Sequence, residues 1–175
     1  MPDHPDRPYI IDANVLIDYC DTDLRILSLL SRHINPVHIA RSTFRKVEGL
    51  SRSLATSHSL VIHTPDLATV IEATKKRGPL APDDRETLLL AKKHEWICIT
   101  NDKPLRRECL LEEVPVLWGL EPMKLLVSRR LLKPTEAIRV ARKIADINPG
   151  YITADITARF ESQIAEVENS LRRTS

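Results

Sequence analysis

YIIDANVLID, at residues 9–18, places a carboxylate inside an otherwise apolar run. Its first three residues predict a short strand that ends at Asp12, and a helical turn is expected from Asn14 to Tyr19. A continuous apolar run, rather than an alternating one, is typical of a parallel strand that is buried on both faces. The stretch therefore predicts the first strand-to-helix step of an α/β sheet, with Asp12 at the carboxyl end of its strand.

Alternation of strands and helices continues to residue 118. Further short apolar runs predict four more strands, at residues 36–40, 60–63, 96–100 and 114–118. Helical stripes and capping residues lie between these runs. Ser42 is expected to cap a helix that carries Phe44, Val47, Glu48 and Leu54, and Asp83 or Asp84 is expected to cap the helix before the fourth strand. Pro115 suits an edge strand, because proline has no N–H to donate to a neighbouring strand. The sequence predicts an α/β fold with a parallel sheet that is covered by helices on both faces.

The chain beyond Gly119 is predicted to be helical. A break is expected where Asn-Pro-Gly occupies residues 148–150. The last helix has a narrow apolar stripe that needs a partner surface. In the ordinary interpretation the stripe packs on its own domain, and in the second interpretation it contacts a second copy of the chain in a homodimer. We expect a domain over residues 1–120 and a C-terminal helical extension over residues 121–175. The stripe consists of Ile152, Ile156, Phe160, Ile164, Val167 and Leu171.

Composition narrows the class of protein. The 175 residues are 42% apolar and 29% charged, which suits a single soluble domain, and the net charge of +2 permits a polyanionic partner without demanding one. An aromatic content of 4% argues against a base-stacking platform. Three cysteines without a CxxC pair support neither a disulfide framework nor a zinc ribbon. Without an apolar leader or a run of membrane-spanning length, a cytoplasmic protein with no membrane contact is expected.

Four acidic residues fall at strand ends or in helices near them. Asp12 and Asp102 follow the first and fourth strands, so they would converge if those strands are neighbours at the switch point of the sheet. Glu48 is expected about two turns into the helix after the second strand, and Asp84 begins the helix that leads to the fourth. Each alone has an ordinary interpretation as a helix cap or a surface residue. Together they predict a Mg²⁺ or Mn²⁺ site, because clustered carboxylates repel one another unless a cation or proton joins them.

The first two parts of this acidic set resemble motifs of PIN-domain ribonucleases. YIIDANVLID at residues 9–18 resembles the opening motif of that family. Ser42, followed six residues later by Glu48, is similar to the second motif. Both motifs stand at the element boundaries that the family requires.

The third and fourth motifs follow in the family's order. Asp84 lies seven residues before Ala91, as the third acid of the family lies before its small helix residue. ITND at residues 99–102 resembles the fourth motif, a strand that ends in Thr-x-Asp. The resemblance covers about residues 8–118, the span of the five predicted strands.

The resemblance implies a fold and an activity. The fold is a five-stranded parallel sheet of order 3-2-1-4-5 with helices on both sides. The activity is Mg²⁺- or Mn²⁺-dependent endonucleolytic cleavage of RNA that leaves 5′-phosphate and 3′-hydroxyl ends. The resemblance also assigns roles: Asp12 and Asp102 as principal metal ligands, Glu48 and Asp84 as ligands directly or through water, and Asn14 and Thr100 as supporting residues.

Many bacterial members of the family are toxins of the VapC type that a small antitoxin neutralises. A small antitoxin protein is therefore a candidate partner, besides RNA. The helical extension is longer than in minimal toxin members, which bears on the toxin assignment and not on the nuclease assignment. RNA phosphates would be contacted by basic residues near the predicted cleft, which singly are ordinary solvated charges. The candidates are Arg41, Arg45, Arg85, Lys103 and Arg106, with Lys46 and Arg107 beside them.

Some alternatives stay open at the level of sequence. Asp83 precedes Asp84 and Glu86 follows, so the identity of the third acid is ambiguous, although the spacing favours Asp84. Asp18 is expected on a helix surface. A protein of the same fold that binds partners with little catalysis is one alternative function. A phosphatase with Asp12 as nucleophile is another, but such enzymes typically need a second Asp where Asn14 stands.

Overall fold

The computed structural model describes residues 7–75 and 78–173. Strands and helices alternate up to residue 117, and helices follow. The elements are β1 (Tyr9–Ile11), α1 (Ala13–Thr22), α2 (Arg25–His33), β2 (Val37–Ala40), α3 (Arg41–Lys46), α4 (Arg52–Ser57), β3 (Leu60–His63), α5 (Leu67–Thr74), α6 (Pro82–His94), β4 (Ile97–Ile99), α7 (Lys103–Leu111), β5 (Val116–Leu117), α8 (Glu121–Ser128), α9 (Pro134–Ile147) and α10 (Ala154–Arg173).

The five strands form one parallel sheet in the order β3-β2-β1-β4-β5. In its centre Tyr9 of β1 pairs with Val37 on one side and with Ile97 on the other. The chain builds outward first through β2 and β3 and then through β4 and β5, so the switch point lies between β1 and β4. The predicted α/β class and strand order are confirmed, and β5, which Pro115 immediately precedes, is an edge strand.

Two hydrophobic layers cover the sheet because successive strand residues point to opposite faces. Ile11 belongs to the larger layer, which also contains Met123, Val140 and Phe160 from the last three helices. Ile10 belongs to the smaller layer under α6 and α7. The C-terminal helices thus complete the core of the sheet, while the predicted boundary at residue 120 stays a prediction.

The apolar stripe of α10 is covered within the same chain. Helix α10 packs against α8 and α9, where Phe160 and Ile164 are buried and Ile156 and Val167 are partly buried. The intramolecular interpretation of the stripe therefore holds, and a homodimer stays a prediction that would need another surface. None of the described helices has both the length and the apolar character to cross a membrane.

The region after β2 differs from its prediction. A single helix capped by Ser42 was expected to run through Glu48 to Leu54, but α3 ends at Lys46 and α4 begins at Arg52. Gly49 adopts a left-handed φ of 77°, which interrupts a helix and which glycine adopts at little cost. The cap position of α3 is Ala40, so Ser42 lies inside the helix, and Ser51 caps α4.

Asp18 is buried, which corrects the expectation of a surface position. Its side chain is 4% exposed and accepts a hydrogen bond of 2.9 Å from Nδ2 of Asn148, at the end of α9. The pKa of Asp18 is raised to about 6, chiefly by burial; the hydrogen bond from Asn148 opposes the rise, and the charges of Asp21 and Asp12 contribute to it. The reason for the difference is tertiary: α9 covers α1, and the local pattern of α1 does not show this.

Candidate functional site

Asp12 and Asp102 are joined through Thr100 at the ends of the two central strands. Asp12 is 2% exposed, and its two oxygens accept hydrogen bonds of 2.6 Å from the Ala13 N–H and 2.9 Å from the Thr100 hydroxyl. The Thr100 oxygen in turn accepts a bond of 3.0 Å from the Asp102 N–H. The predicted convergence of β1 and β4 therefore places one hydroxyl between the two acidic residues.

Both aspartates also serve as helix caps. Asp12 caps α1 through the Ala13 N–H, and Oδ1 of Asp102 accepts a bond of 2.7 Å from the Leu105 N–H in the first turn of α7. The partial positive charge of a helix N-terminus favours a carboxylate at such a position. A role as helix cap and a role as metal ligand are therefore compatible, because the backbone engages one oxygen of each aspartate.

Asp84 faces this pair from the first turn of α6, which packs on β1, β2 and β4. Its pKa is raised to about 6, chiefly by burial; the charges of Asp12, Asp83 and Asp102 contribute to the rise, and Lys46 opposes it. The pKa of Asp12 is likewise raised to about 6, chiefly by burial; the hydrogen bonds from Thr100 and Ala13 oppose the rise, and the charges of Asp102 and Asp83 contribute to it. Asp12, Asp84 and Asp102, named the acidic cluster below, therefore repel one another.

The contacts of α6 distinguish the two adjacent aspartates. Asp83 forms an ion pair with Lys46 of α3, whereas Asp84 has no hydrogen bond or ion pair with any residue in the described ranges. Asp84 is therefore the better candidate for the third acid. Neither residue caps α6, contrary to expectation, because Ala81 holds the cap position and Pro82 begins the helix.

Glu86, which the sequence offered only as an alternative to Asp84 for the third acid, is a buried carboxylate. It is 8% exposed and accepts a bond of 2.7 Å from the Ser42 hydroxyl. Ser42, expected to act as a cap, instead ties α3 to α6. The sequence signal was the run of acids at residues 83–86, but periodicity alone does not show which of them turns inward.

Glu48 lies apart from the acidic cluster. It is exposed in the turn after α3, and it is not among the charges that shift the pKa of Asp12 or Asp84. The helix that was to carry Glu48 into the cleft ends two residues earlier. Its role as a metal ligand stays a prediction, and these contacts give it no support.

The remaining predicted residues have varied surroundings. Asn14 is half-buried in the first turn of α1, and Arg85 is half-buried with an Nε that has no hydrogen-bond partner among the described residues. Arg106 donates a bond of 2.8 Å to the Asn101 carbonyl and lies 3.8 Å from the centre of the Trp118 ring. Three of the basic candidates are exposed and available to a polyanion: Arg41, Arg45 and Lys103.

The side chains of the acidic cluster are chemically suited to a hydrated divalent cation. Carboxylate oxygens are the ligands that Mg²⁺ prefers, and a cation would offset the mutual repulsion of the cluster. Over residues 7–75 and 78–173, no set of three or more His, Cys, Asp or Glu is arranged to hold an ion. Because Mg²⁺ usually keeps several waters and uses one or two carboxylates, the residues fit an ion held partly through water.

Comparison with known proteins finds a likeness to a solved structure. The chain is similar to the solved structure of a PilT N-terminus domain protein, SSO1118, from the hyperthermophilic archaeon Sulfolobus solfataricus P2. The identity is 16%, the TM-score is 0.48, and the match covers 66% of this chain and 89% of that one. At that level the likeness carries no conclusion about function. No protein-family model and no curated protein matches the chain.

Proposed function

We propose that this protein is a divalent-metal-dependent endoribonuclease of the PIN type. The observation that supports the proposal is the joining of Asp12 and Asp102 through Thr100 at the switch point, with Asp84 opposite. Mg²⁺ or Mn²⁺ is the proposed cofactor and RNA the proposed substrate. A toxin role with a small antitoxin remains a prediction from the resemblance, and a homodimer remains a prediction from the apolar stripe of the last helix.

In the proposed reaction, each residue of the acidic cluster, together with Thr100, would have its own role. Asp12 and Asp102 would hold the ion, and Thr100 would fix the Asp12 carboxylate relative to the Asp102 backbone. Asp84, which has no hydrogen bond or ion pair with a described residue, would orient a water beside the phosphate. When bound, the ion would activate water and offset charge on the phosphate oxygens. No covalent protein nucleophile is needed, and the products would carry 5′-phosphate and 3′-hydroxyl ends.

A binding module of the same fold with little catalysis is the second candidate. The observations that favour it are the lack of a preformed three-ligand set in the described ranges and the exposed position of Glu48. The phosphatase alternative fits less well. Asp12 is 2% exposed and both of its oxygens are engaged, which disfavours it as a nucleophile.

RNA cleavage separates these candidates. End-labelled single-stranded RNA is incubated with wild-type protein and Mn²⁺ or Mg²⁺, with EDTA as the chelator control. Asp12→Asn and Asp84→Asn should slow cleavage by roughly 100-fold or more, since they act where charge develops in the reaction. Asp21→Asn, an exposed position in α1, is the matched control and should cut normally. Equal cleavage by Asp12→Asn and wild-type protein would refute the proposed function.

A further inference from the structure

Arg106 and Trp118 form a stacked pair at the carboxyl edge of the sheet. Cζ of Arg106 lies 3.8 Å from the centre of the Trp118 ring, and Nη1 of Arg106 donates a bond of 2.8 Å to the Asn101 carbonyl. An arginine that is held by an aromatic face and a hydrogen bond loses little further freedom when it binds a ligand. The guanidinium is therefore oriented before any ligand arrives.

Backbone contacts place this pair next to the acidic cluster. Trp118 directly follows β5, where the Leu117 carbonyl accepts a bond of 3.1 Å from the Thr100 N–H, so Trp118 leaves the sheet one strand away from Thr100. Arg106 lies one helical turn after Asp102, and its backbone N–H donates a bond of 3.0 Å to the Asp102 carbonyl. Residues so related have Cβ atoms about 5–6 Å apart. Burial lowers the pKa of Arg106 and the charge of Asp102 opposes that effect, which agrees with this closeness.

The guanidinium of Arg106 keeps donors that are open to solvent. In the part of the chain that the structure describes, its side chain donates only to the Asn101 carbonyl and forms no ion pair with a carboxylate. Its Nε and Nη2 are not buried, because neither is among the enclosed polar atoms that lack a partner. Two such N–H groups match two oxygens of a phosphate. Lys46, another cation near the acidic cluster, is already paired with Asp83.

Trp118 keeps two opposite charges apart. Without the ring, the guanidinium of Arg106 would be free to turn towards Asp102, and each charge would then neutralise the other. Because the ring and the Asn101 carbonyl hold the guanidinium, the Asp102 carboxylate stays open to a cation and Arg106 to an anion. Trp118 is 48% exposed, so the pair lies at a surface that RNA can reach.

We propose that Arg106 binds the phosphate of the RNA bond that is cut, and that Trp118 is a positioning residue that acts through Arg106. The inference rests on the proposed function and names the residue that contacts the substrate anion. The sequence grouped Arg106 with other basic residues, and its fixed orientation beside Asp102 now distinguishes it. A cation in this position would also offset the charge that develops on the phosphate oxygens during cleavage.

The first experiment measures RNA binding without metal or cleavage. Fluorescently labelled single-stranded RNA is titrated with protein in EDTA at several salt concentrations, and its anisotropy is followed. Arg106→Gln should weaken binding roughly 10-fold and reduce the slope of log K against log salt by about 0.7, the value for one phosphate contact on a single strand. No RNA binding by the wild-type protein, or the same affinity and slope for both proteins, would overturn the inference.

Arg52→Gln is the matched control, because Cζ of Arg52 also lies over an aromatic ring, 5.8 Å from the centre of Phe44. Arg52 is exposed, and it is not among the charges that shift the pKa of Asp12 or Asp84, so this variant should bind RNA like wild type. Equal losses in both variants would count against Arg106 and overturn its assignment. If Arg106→Gln does not fold, Arg106→Lys keeps the charge without the planar fork and should still bind more weakly than wild type; wild-type affinity and slope would refute the contact.

The second experiment identifies the phosphate that Arg106 contacts. A short RNA with one cleavage site carries a single neutral methylphosphonate at successive positions, and its binding to wild type and Arg106→Gln is compared in EDTA. At the contacted position the two proteins should bind equally, because the charge of that phosphate is already removed. The inference predicts that this position is the one cut in unmodified RNA. Equality at a different position, or at none, would contradict it.

A double-mutant cycle tests the role of Trp118. Trp118→Leu should weaken RNA binding, whereas Trp118→Phe, which keeps an aromatic face, should retain most of the affinity. In protein that already carries Arg106→Gln, Trp118→Leu should have no further effect on binding, since the ring acts through the guanidinium. An additional loss in the double variant would mean that the ring contacts RNA directly, and the positioning role would be wrong.

Cleavage rates keep this inference separate from the proposed function. In Mn²⁺, Arg106→Gln should slow RNA cleavage by roughly 100-fold, as expected when one donor to a developing charge is removed. Cleavage at the wild-type rate would overturn the role of Arg106 and leave the nuclease intact. Conversely, RNA binding that depends on Arg106 at one phosphate, without any cleavage by wild-type protein, would refute the proposed function and leave the phosphate contact standing.

Discussion

Replacing Asp84 by Asn should stabilise the metal-free protein. Ionised Asp84 is half-buried and repelled by Asp12 and Asp102, which is why its pKa rises from 3.8 to about 6. A carboxyl group whose folded pKa is raised destabilises the fold once pH exceeds that value, because the folded state resists ionisation more than the unfolded state does. The neutral amide removes this penalty and loses no hydrogen bond to a described residue.

The magnitude follows from the shift in pKa. A rise from 3.8 to about 6 is roughly two units, and each unit corresponds to about 1.4 kcal/mol, which gives a ceiling of about 3 kcal/mol. Solvent screening at a half-buried site reduces this to about 1 kcal/mol. For a chain of this length, that free energy raises Tm by about 2–4 °C.

The assay is thermal unfolding in EDTA at about pH 7, above the raised pKa, followed by circular dichroism. Asp83→Asn, one residue away, loses the Lys46 ion pair and removes one of the charges that repel Asp84; because these two effects oppose each other, its stability should stay within about 0.5 kcal/mol of wild type. Mn²⁺ should then raise the Tm of wild-type protein more than that of Asp84→Asn, since only the former keeps all three acids. If Asp84→Asn melts at or below the wild-type temperature in EDTA, the reasoning about repulsion is wrong.

Three further perturbations test other parts of the account. Thr100→Val leaves Asp12 without its buried donor, so unfolding in urea should show a loss of about 1–3 kcal/mol, and RNA cleavage should fall as well. Gly119→Ala would place a Cβ 2.5 Å from Asn101 Nδ2, so its Tm should drop by an amount equivalent to about 1–3 kcal/mol, and an unchanged Tm would contradict the packing described. The pKa of His38 is lowered from 6.5 to about 4, chiefly by burial and also by the charges of His63 and His94, so the folded protein binds fewer protons than the unfolded chain between these values. Stability should therefore fall as pH drops through that window, and urea titrations of His38→Phe should show a shallower fall.

The fold was predictable because its signals are local. Continuous apolar runs such as residues 9–11 and 97–99 identify strands that are buried on both faces, and the intervening helices require parallel connections. The closeness of Asp12 and Asp102 was also predictable, since each follows a strand and neighbouring parallel strands end at the same edge of a sheet. The strand order itself came from the family resemblance, because periodicity does not specify which strands are neighbours.

The errors arose where tertiary contacts or a single backbone conformation decide the outcome. The helix expected around Glu48 is interrupted between Lys46 and Arg52, where Val47 is extended and Gly49 has a left-handed φ, and the flanking apolar pattern specifies neither conformation. Asp18 looked solvated, but α9 covers it, and Asn148 lies 130 residues away in the chain. The position of Asn101 could not be found from sequence at all, because its Oδ1 accepts a hydrogen bond from the Gly119 N–H, 18 residues away in the chain.

Locating Mn²⁺ by anomalous diffraction in a metal-soaked crystal tests the central claim most directly. The account predicts a peak between the carboxylates of Asp12, Asp84 and Asp102, with some contacts made through water, and the loss of that peak in Asp12→Asn. At saturating Mn²⁺, the absence of density between these side chains, or an ion bound only at some other surface, would contradict it.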